Sequence, residues 1–184
     1  MKGFAAAAIV AAVLGGCATV TLAPRDSQPF DLLGRILVTY SGGALTANLR
    51  WLHDPSEDQI WLMTPTGQTL AYMVDSPQGA TLKRADQREY RASSVEALTR
   101  QALGWPLPLS FLQYWVQGRA APGAAANAVE RETDGRFVAF TQNGWRVAIT
   151  YYSEGEFKAR VRRLDVSDGA SEIRLVIDTW RNAS

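Results

Sequence analysis

The chain lacks the residues from which several common functional sites are built. It has one cysteine, Cys17, and one histidine, His53, among 184 residues. It therefore cannot form an internal disulfide or a zinc site made of Cys and His ligands. The Walker phosphate-binding motif and the G-x-S-x-G and G-x-G-x-x-G motifs are also missing. The sequence predicts a protein that works without a metal, a nucleotide or another cofactor.

An excess of charge of one sign is missing as well. Nineteen Lys and Arg residues face eighteen Asp and Glu residues, which gives a formal net charge of +1. Without residues 1–16, which include Lys2, basic and acidic residues balance at 18 each. Nucleic-acid binding needs a concentrated basic surface, so we do not expect nucleic acid as a partner.

The acidic residues around His53 do not indicate a hydrolytic site. Asp54, Glu57 and Asp58 follow the histidine closely, but no serine in a recognisable nucleophile motif accompanies them. A lone histidine in a loop is usually a solvated side chain, and we interpret His53 in this way. We expect that the protein is not an enzyme.

The amino terminus has the features of a lipoprotein signal. Lys2 is followed by an apolar run that ends at Leu14, as in a secretory signal peptide, and this run is shorter than the roughly 20 residues of a membrane-spanning helix. Leu14-Gly15-Gly16-Cys17 resembles the lipobox of bacterial lipoproteins, in which the cysteine becomes the lipidated first residue. Residues 1–16 are then the signal peptide, 17–29 a lipidated tether and Cys17 the anchor.

The predicted anchor also indicates a location. The lipidated cysteine of this class carries several acyl chains, and because each buried methylene contributes about 0.8 kcal/mol, the anchoring is effectively permanent. Ala18, and not aspartate, follows Cys17, which by the enterobacterial sorting rule favours the outer membrane. We expect a lipid-anchored protein on the periplasmic face of the outer membrane of a Gram-negative bacterium. An ordinary signal peptide with an incidental cysteine is the alternative.

From Phe30 onward the chain shows the period-two alternation of β-strands. Ile36, Val38 and Tyr40 share one predicted face, and a turn of Ser41-Gly42-Gly43 joins this strand to the next in an antiparallel hairpin. About ten strands are predicted, at 36–40, 47–51, 60–62, 69–74, 80–83, 89–92, 137–140, 145–151, 158–166 and 173–177.

Two helices are predicted between the sixth and seventh strands. Ser93 and Glu96 have the spacing of a capping box, and the helix that follows would end at Gly104. A second amphipathic helix would begin after Pro108 and end before Gly118, and residues 119–127 are expected to form a loop. Many strands with helices only in the middle indicate a mainly β fold, an antiparallel sheet that curls into an open barrel.

The sequence pattern is compatible with two arrangements of the barrel interior. Aromatic and aliphatic side chains could fill it completely, or they could line a cavity that the helices cover. About eight strands mark the border between a filled barrel and one that holds a ligand, so strand number does not choose between them.

A series of short motifs carries a resemblance to one family. In order they are Gly34-Arg35-Ile36-Leu37-Val38, Trp51, Pro65-x-Gly67-Gln68, Leu103-Gly104-Trp105-x-Leu107-Pro108, Leu112-x-x-Trp115-x-x-Gly118, Gln142-x-Gly144-Trp145 and Ile177-Asp178-x-Trp180. Together they resemble the LolB family, the outer-membrane receptors of the lipoprotein localisation pathway. The resemblance covers nearly the whole mature chain, and residues 30–184 are identified as a LolB-like barrel domain.

The resemblance implies both a fold and a function. The fold is an incomplete antiparallel barrel of about ten or eleven strands, in which two or three helices cover an apolar cavity. The function is to accept lipoproteins from the soluble periplasmic carrier LolA and to insert them into the outer membrane by transfer of their acyl chains. The expected partners are this carrier, acylated lipoproteins and outer-membrane lipids, and the expected state is a monomer. The carrier has a similar fold but is secreted free, so the lipobox favours the receptor.

The predicted acyl-chain cavity is formed by inward-facing apolar residues of the strands and of the second helix. These candidates are Ile36, Val38, Tyr40, Leu49, Trp51, Ile60, Leu62, Leu112, Trp115, Trp145, Val147, Ile149, Ile173, Leu175 and Ile177.

The chain departs from the family pattern in two places. The loop Pro65-Thr66-Gly67 is the candidate membrane-insertion loop, but well-known members have a protruding leucine where this chain has Thr66. A neighbour, Met63 or Leu70, could insert in its place, or the protein could reach the membrane differently.

The second departure is Arg160-Val161-Arg162-Arg163, where the family tends to have Leu-Pro. These arginines would either form a solvated strand face or face the carrier. For the protein as a whole, the alternative function is a structural or assembly lipoprotein with a filled barrel and no acyl-chain transfer.

Overall fold

The fold is described here by a computed structural model that covers residues 27–181. The predicted signal peptide and the predicted anchor Cys17 fall within 1–26, outside the described residues. The strands are β1 (Phe30–Tyr40), β2 (Gly43–His53), β3 (Asp58–Met63), β4 (Thr69–Ser76), β5 (Gly79–Arg84), β6 (Glu89–Ala92), β7 (Ala126–Arg131), β8 (Phe137–Gln142), β9 (Trp145–Tyr151), β10 (Val161–Ser167) and β11 (Ser171–Arg181). The helices, which lie between β6 and β7 in the chain, are α1 (Val95–Leu103) and α2 (Leu109–Trp115).

The strands form one antiparallel sheet in the order β6-β5-β4-β3-β2-β1-β11-β10-β9-β8-β7. The first and last strands pair at its centre, where Ile36 lies opposite Leu175 and Val38 opposite Ile173. Because β6 and β7 lie at opposite edges, the sheet is open. The prediction of a mainly β, incomplete antiparallel barrel is confirmed, and two helices cover it.

Alternating burial explains why these segments are strands. On β1 the side chains of Ile36 and Val38 are buried, and on β2 those of Ala47, Leu49 and Trp51 are buried, while the side chains between them are half-buried or exposed. Fully burying a large apolar side chain contributes about 1.5–3 kcal/mol. One face of the sheet therefore requires a cover.

Helices α1 and α2 provide that cover. Val95 and Leu98 of α1 and Leu109, Leu112 and Trp115 of α2 belong to the same buried apolar core as the inward strand residues. Within residues 27–181, neither helix is long and apolar enough to cross a bilayer.

The start of α1 differs from the prediction by one residue. Ser94, and not Ser93, is the N-cap, and its side chain accepts a hydrogen bond from the Ala97 N–H at 3.3 Å. Glu96 therefore does not close a capping box, and its carboxylate binds α2 instead. The predicted end is correct, because Gly104 adopts the left-handed conformation there (φ 86°).

The sequence pattern missed β7, which includes part of the predicted loop 119–127. Nearly all of its side chains are exposed, so the strand has no buried face to produce an alternation. Its register with β8 shifts twice, and Ala128 has a positive φ of 48°. Such irregularity is typical of an edge strand that resists pairing with other chains.

Strand β10 begins at Val161, three residues later than predicted. Ala159 has a left-handed φ of 67°, and the Tyr152 N–H donates to the Arg160 carbonyl oxygen at 2.9 Å. Residues 153–159 therefore form the turn between β9 and β10, and Lys158 does not belong to the strand.

Gly34 allows β1 and β11 to approach each other closely. The register of the two strands shifts between Leu33 and Gly34, and a Cβ atom on Gly34 would overlap the carbonyl oxygen of Val176. Only glycine fits where another backbone comes this near.

We expect Gly34→Ala to lower the free energy of unfolding by about 1–3 kcal/mol, the usual effect of overpacking, because β1 and β11 must separate to admit the methyl group. Chemical denaturation of a soluble Cys17→Ala form measures this change. Thr39→Ala, at an exposed position on the same strand, is the control and should cost less than about 1 kcal/mol. Equal unfolding curves for Gly34→Ala and the parent would contradict the described approach of the strands.

Candidate functional site

An apolar cavity lies between the sheet and the two helices. Its volume is about 30 Å³, and each side chain that lines it is apolar. The lining residues are Ile36, Leu49, Trp51, Ile60, Leu62, Met73, Leu103, Trp105, Leu107, Leu109, Leu112, Ile173 and Leu175.

The predicted cavity residues fall into two groups. Ile36, Leu49, Trp51, Ile60, Leu62, Leu112, Ile173 and Leu175 line this cavity. Val38, Trp115, Trp145, Val147, Ile149 and Ile177 are buried in the same core but away from the cavity, and Tyr40 packs against that core with part of its side chain exposed. The structure thus brings the candidates into one core, and those that surround the free space come from β1, β2, β3, β11 and α2.

Sequence reasoning missed the lining residues Met73, Leu103, Trp105, Leu107 and Leu109. All except Met73 lie at the end of α1, in the connection between the helices or at the start of α2. The signal for them was the motif Leu103-Gly104-Trp105-x-Leu107-Pro108, whose large apolar side chains in a short connection must be buried against something.

The cavity is small compared with sites that hold lipids or drug-sized ligands, which measure roughly 300–1,000 Å³. At about 30 Å³ it holds little more than one water-sized sphere. The helix pair α1–α2 is thus packed down on the sheet. Since the strands are joined to one another by backbone hydrogen bonds, the helix pair is the part that must move for the cavity to enlarge.

Hydrogen bonds join α1 to the connection between the helices and to the start of α2. The buried Thr99 hydroxyl donates to the Val95 carbonyl oxygen at 2.9 Å and accepts from the Leu107 N–H at 2.8 Å. The Glu96 carboxylate accepts from the Ser110 hydroxyl at 2.8 Å. These bonds hold the helices in a fixed relation, so we treat the helix pair as one unit.

Gln142 fixes the carboxyl end of α2 to β8. Its Oε1 accepts from Trp115 Nε1 at 2.8 Å and from the Ala121 N–H at 2.9 Å. Its Nε2 donates to the carbonyl oxygens of Ala121 and Ala124, both at 2.8 Å. The buried amide thus has partners for both of its groups, which fits the general need to satisfy buried polar atoms.

The prediction that His53 is a solvated loop side chain is wrong. His53 is the last residue of β2 and is 0% exposed, because the inward alternation Ala47, Leu49, Trp51 continues to it. Its Nδ1 lies 2.7 Å from Asp58 Oδ1, which also accepts from Trp51 Nε1 at 2.6 Å. Continuing the alternation by one more step would have placed His53 inside.

The other ring nitrogen of His53 binds a residue of the amino-terminal segment. Ser27 Oγ lies 2.6 Å from His53 Nε2 and donates to Gln113 Oε1 of α2 at 3.0 Å. Ser27, His53 and Asp58 thus have the bonding order of a hydrolase triad. However, Ser27 is only 3% exposed, it has a second partner, and it does not line the apolar cavity.

The β3–β4 loop, residues 64–68, is exposed but has no large apolar side chain at its tip. The Gly67 N–H donates to the Thr64 carbonyl oxygen at 2.9 Å, and the hydroxyls of Thr64 and Thr66 lie 2.9 Å apart. Met63 and Leu70, the neighbours considered for membrane insertion, are half-buried. The loop therefore presents a polar tip.

The three arginines that depart from the family pattern have different surroundings. Arg163 donates to the Asp165 carboxylate at 2.6 Å. Burial acts to raise the pKa of Asp165, but the hydrogen bonds from Arg163 and Arg174 outweigh it and lower the pKa below its usual value. Arg160 lies over the Trp180 ring at 5.2 Å and Arg162 over the ring of Tyr152 at 5.7 Å.

Four larger depressions differ from the apolar cavity in chemistry, because charged side chains contribute to the walls of each. One of about 290 Å³ is on the outer face of the sheet and includes Arg146, Arg163 and Arg174. The one of about 610 Å³ lies beside the helix pair and includes Asp75 and Glu96. Charged walls do not suit acyl chains, so the apolar cavity is the candidate site.

Comparisons with known proteins indicate one family. The family model "Outer membrane lipoprotein LolB" matches residues 28–180. An outer-membrane lipoprotein LolB from Thiobacillus denitrificans is 39% identical over 100% of both chains. One from Azoarcus sp. is 34% identical over 96% of this chain and 93% of its own. A solved LolA superfamily protein from Nitrosomonas europaea aligns with a TM-score of 0.48 and 8% identity over 85% of this chain and 86% of that chain.

The family model spans almost all of the described residues, and the two relatives match over 100% and 93% of their own length. The resemblance seen in the sequence motifs is therefore confirmed, and with it the outer-membrane location. The chain belongs to the LolB family of outer-membrane lipoproteins.

Proposed function

We propose that this protein accepts lipoproteins from a soluble LolA-like carrier and inserts them into the outer membrane by affinity-driven transfer of their acyl chains. The observation that carries the proposal is the cavity between the sheet and the helix pair, whose lining is entirely apolar. In this proposal Cys17 anchors the protein beside the destination, and the candidate residues that line the cavity shelter the acyl chains.

Acyl chains require such a shelter because water is a poor solvent for them. Each exposed methylene costs about 0.8 kcal/mol, so a chain must pass from one apolar surface directly to another. The sequence has no nucleotide-binding motif, and direction then comes from differences in affinity. A difference of about 1.4 kcal/mol between successive holders biases the exchange tenfold.

The closed cavity suits a protein that must release what it accepts. An empty cavity large enough for acyl chains would expose apolar walls to water, whereas the packed helix pair buries them. When an acyl chain enters, its contacts with the sheet replace those that Leu107 and Leu109 make with the sheet. Binding is therefore weakened by the cost of opening, which keeps the affinity below that of a bilayer.

The Ser27, His53 and Asp58 cluster is structural in this proposal. The serine hydroxyl is enclosed and already bonded to two partners, so it has no access to a substrate. We propose that the protein is not an enzyme and that it acts as a monomer on its carrier, on acylated lipoproteins and on membrane lipids.

The proposal is tested by loading a soluble Cys17→Ala form with a lipoprotein supplied on its carrier. We expect the lipoprotein to move to the receptor and to be recovered with it by affinity pull-down. If the lipoprotein stays on an active carrier, the proposal fails and the alternative, a structural or assembly lipoprotein without acyl-chain transfer, is favoured.

We expect Leu107→Ala to bind a fluorescent fatty-acid probe up to about tenfold more tightly than the parent. The truncation enlarges the cavity and weakens the closed form, and an acyl chain can refill the space. Leu164→Ala is the matched control, because Leu164 is also buried but does not line the cavity. Both variants should lose about 2–5 kcal/mol of stability. Probe affinities that change equally in both variants would contradict the assignment of the cavity.

We expect Thr66→Leu to speed the release of lipoprotein into liposomes several-fold. A leucine at the exposed tip of the loop adds apolar surface, and burying it in the bilayer contributes about 1.5–3 kcal/mol. Gln68→Leu, at another exposed position of the same loop, shows whether any added apolar group has the same effect. An unchanged release rate for Thr66→Leu would mean that this loop does not meet the membrane during release.

A further inference from the structure

The first described residues of the chain are bonded to the helix pair. Ser27 Oγ donates to Gln113 Oε1 at 3.0 Å, and Gln117 Nε2 donates to the Gln28 carbonyl oxygen at 3.1 Å. Gln113 lies in α2, and Gln117 follows two residues after its end. Two successive residues therefore connect to one side of α2, and we name Ser27 and Gln28 the tether root, because they lie at the end of the predicted tether 17–29.

The tether root is also fixed to the sheet. Ser27 Oγ lies 2.6 Å from His53 Nε2, and Asp58 holds the opposite ring nitrogen at 2.7 Å. Phe30 stacks on the imidazole ring with centroids 4.9 Å apart. Ser27 is thus a junction between the amino-terminal segment, β2 and α2.

The hydrogen bonds from α2 to the tether root and to the sheet lie near its carboxyl end, whereas its amino end is bonded to α1 through Ser110 and Glu96. The tether root holds this end through Gln113 and Gln117, and Gln142 of β8 holds it through Trp115. The opposite end of the helix pair meets the sheet through the apolar side chains of Leu103, Trp105 and Leu107, which line the cavity. Apolar contacts are non-directional, whereas hydrogen bonds fix an orientation.

We propose that Ser27 is a positioning residue for the helix pair. The tether root and Gln142 form a pivot at the carboxyl end of α2, and the connection at 104–108 is the part that swings away from the sheet. The segment that joins the membrane anchor to the domain therefore takes part in closing the cavity. The effect of the pivot on the entry and exit of acyl chains rests on the proposed function, but the pivot itself does not.

The pivot is tested by hydrogen exchange on the full mature chain with Cys17→Ala, without any lipid. We expect the double variant Ser27→Ala/Gln117→Ala to raise the exchange rates of amides in α2 and in 104–108 by roughly tenfold, since each removed hydrogen bond contributes to stability. The matched control is Ser76→Ala/Gln59→Ala. It removes a serine bond to Gly79 and a glutamine bond to Tyr72, both in the sheet, and should leave these amides unchanged.

A conservative variant and a rate measurement separate positioning from general stability. Ser27→Thr retains the hydroxyl. With Gln117 unchanged, the amides of α2 should exchange more slowly in Ser27→Thr than in Ser27→Ala. In the double variant the entry and exit rates of a fatty-acid probe should both rise, because the same helix pair closes over the empty and the filled cavity.

Exchange rates of α2 in Ser27→Ala/Gln117→Ala that equal those of the control would overturn the proposal. If exchange rises as expected but no probe or lipoprotein binds to any variant, the pivot stands and the proposed function fails.

Discussion

The structure depends on one constraint, the need to cover the apolar face of an open sheet. Inward side chains alternate along every central strand, and the strand order leaves β6 and β7 apart, so the sheet does not cover this face by closing on itself. The helix pair does so instead, with Leu98 and Leu112 packed into the same core as Ile36 and Leu175. Since the hydrophobic effect is non-directional and proportional to area, this cover can be exchanged for another apolar surface of similar extent.

The buried hydrogen bonds that attach the helix pair to the rest of the domain lie at one end of it. Near the carboxyl end of α2, buried hydrogen bonds from Gln142 and Ser27 fix the helix to β8 and to the amino-terminal segment. A buried polar group without a partner costs about 1–3 kcal/mol, so these contacts resist separation. At the other end, the apolar side chains of Leu103, Trp105 and Leu107 line the cavity against the sheet. The helix pair thus has one end that buried hydrogen bonds orient and one end at which apolar side chains face the cavity.

The small volume of the cavity is compatible with the proposed transfer of acyl chains, in which bound cargo must also be released. A large preformed cavity would hold acyl chains tightly, and transfer onward to the membrane would then be slow. A cavity of about 30 Å³ opens only when the contacts of the helix pair are broken, and their cost reduces the net affinity. The 64–68 loop presents a polar tip, and under the proposed function the predicted lipid anchor then contributes more to membrane contact than the loop does.

The sequence by itself determined the strands whose two faces differ in polarity, the two helices, the glycine end of the first helix and the family, because these follow from local periodicity and short motifs. The second helix ends at Trp115, with Val116 as its C-cap, and so before the predicted glycine end at Gly118. The sequence did not indicate β7, whose side chains are nearly all exposed, or the hydrogen bonds of His53, which depend on Asp58 and Ser27 reaching it from other segments. Only the tertiary structure decided how much space remains inside. That volume is the space left where the apolar side chains of the sheet and of the helices do not fill the interior. It depends on how side chains distant in sequence, such as Met73 and Leu107, pack together.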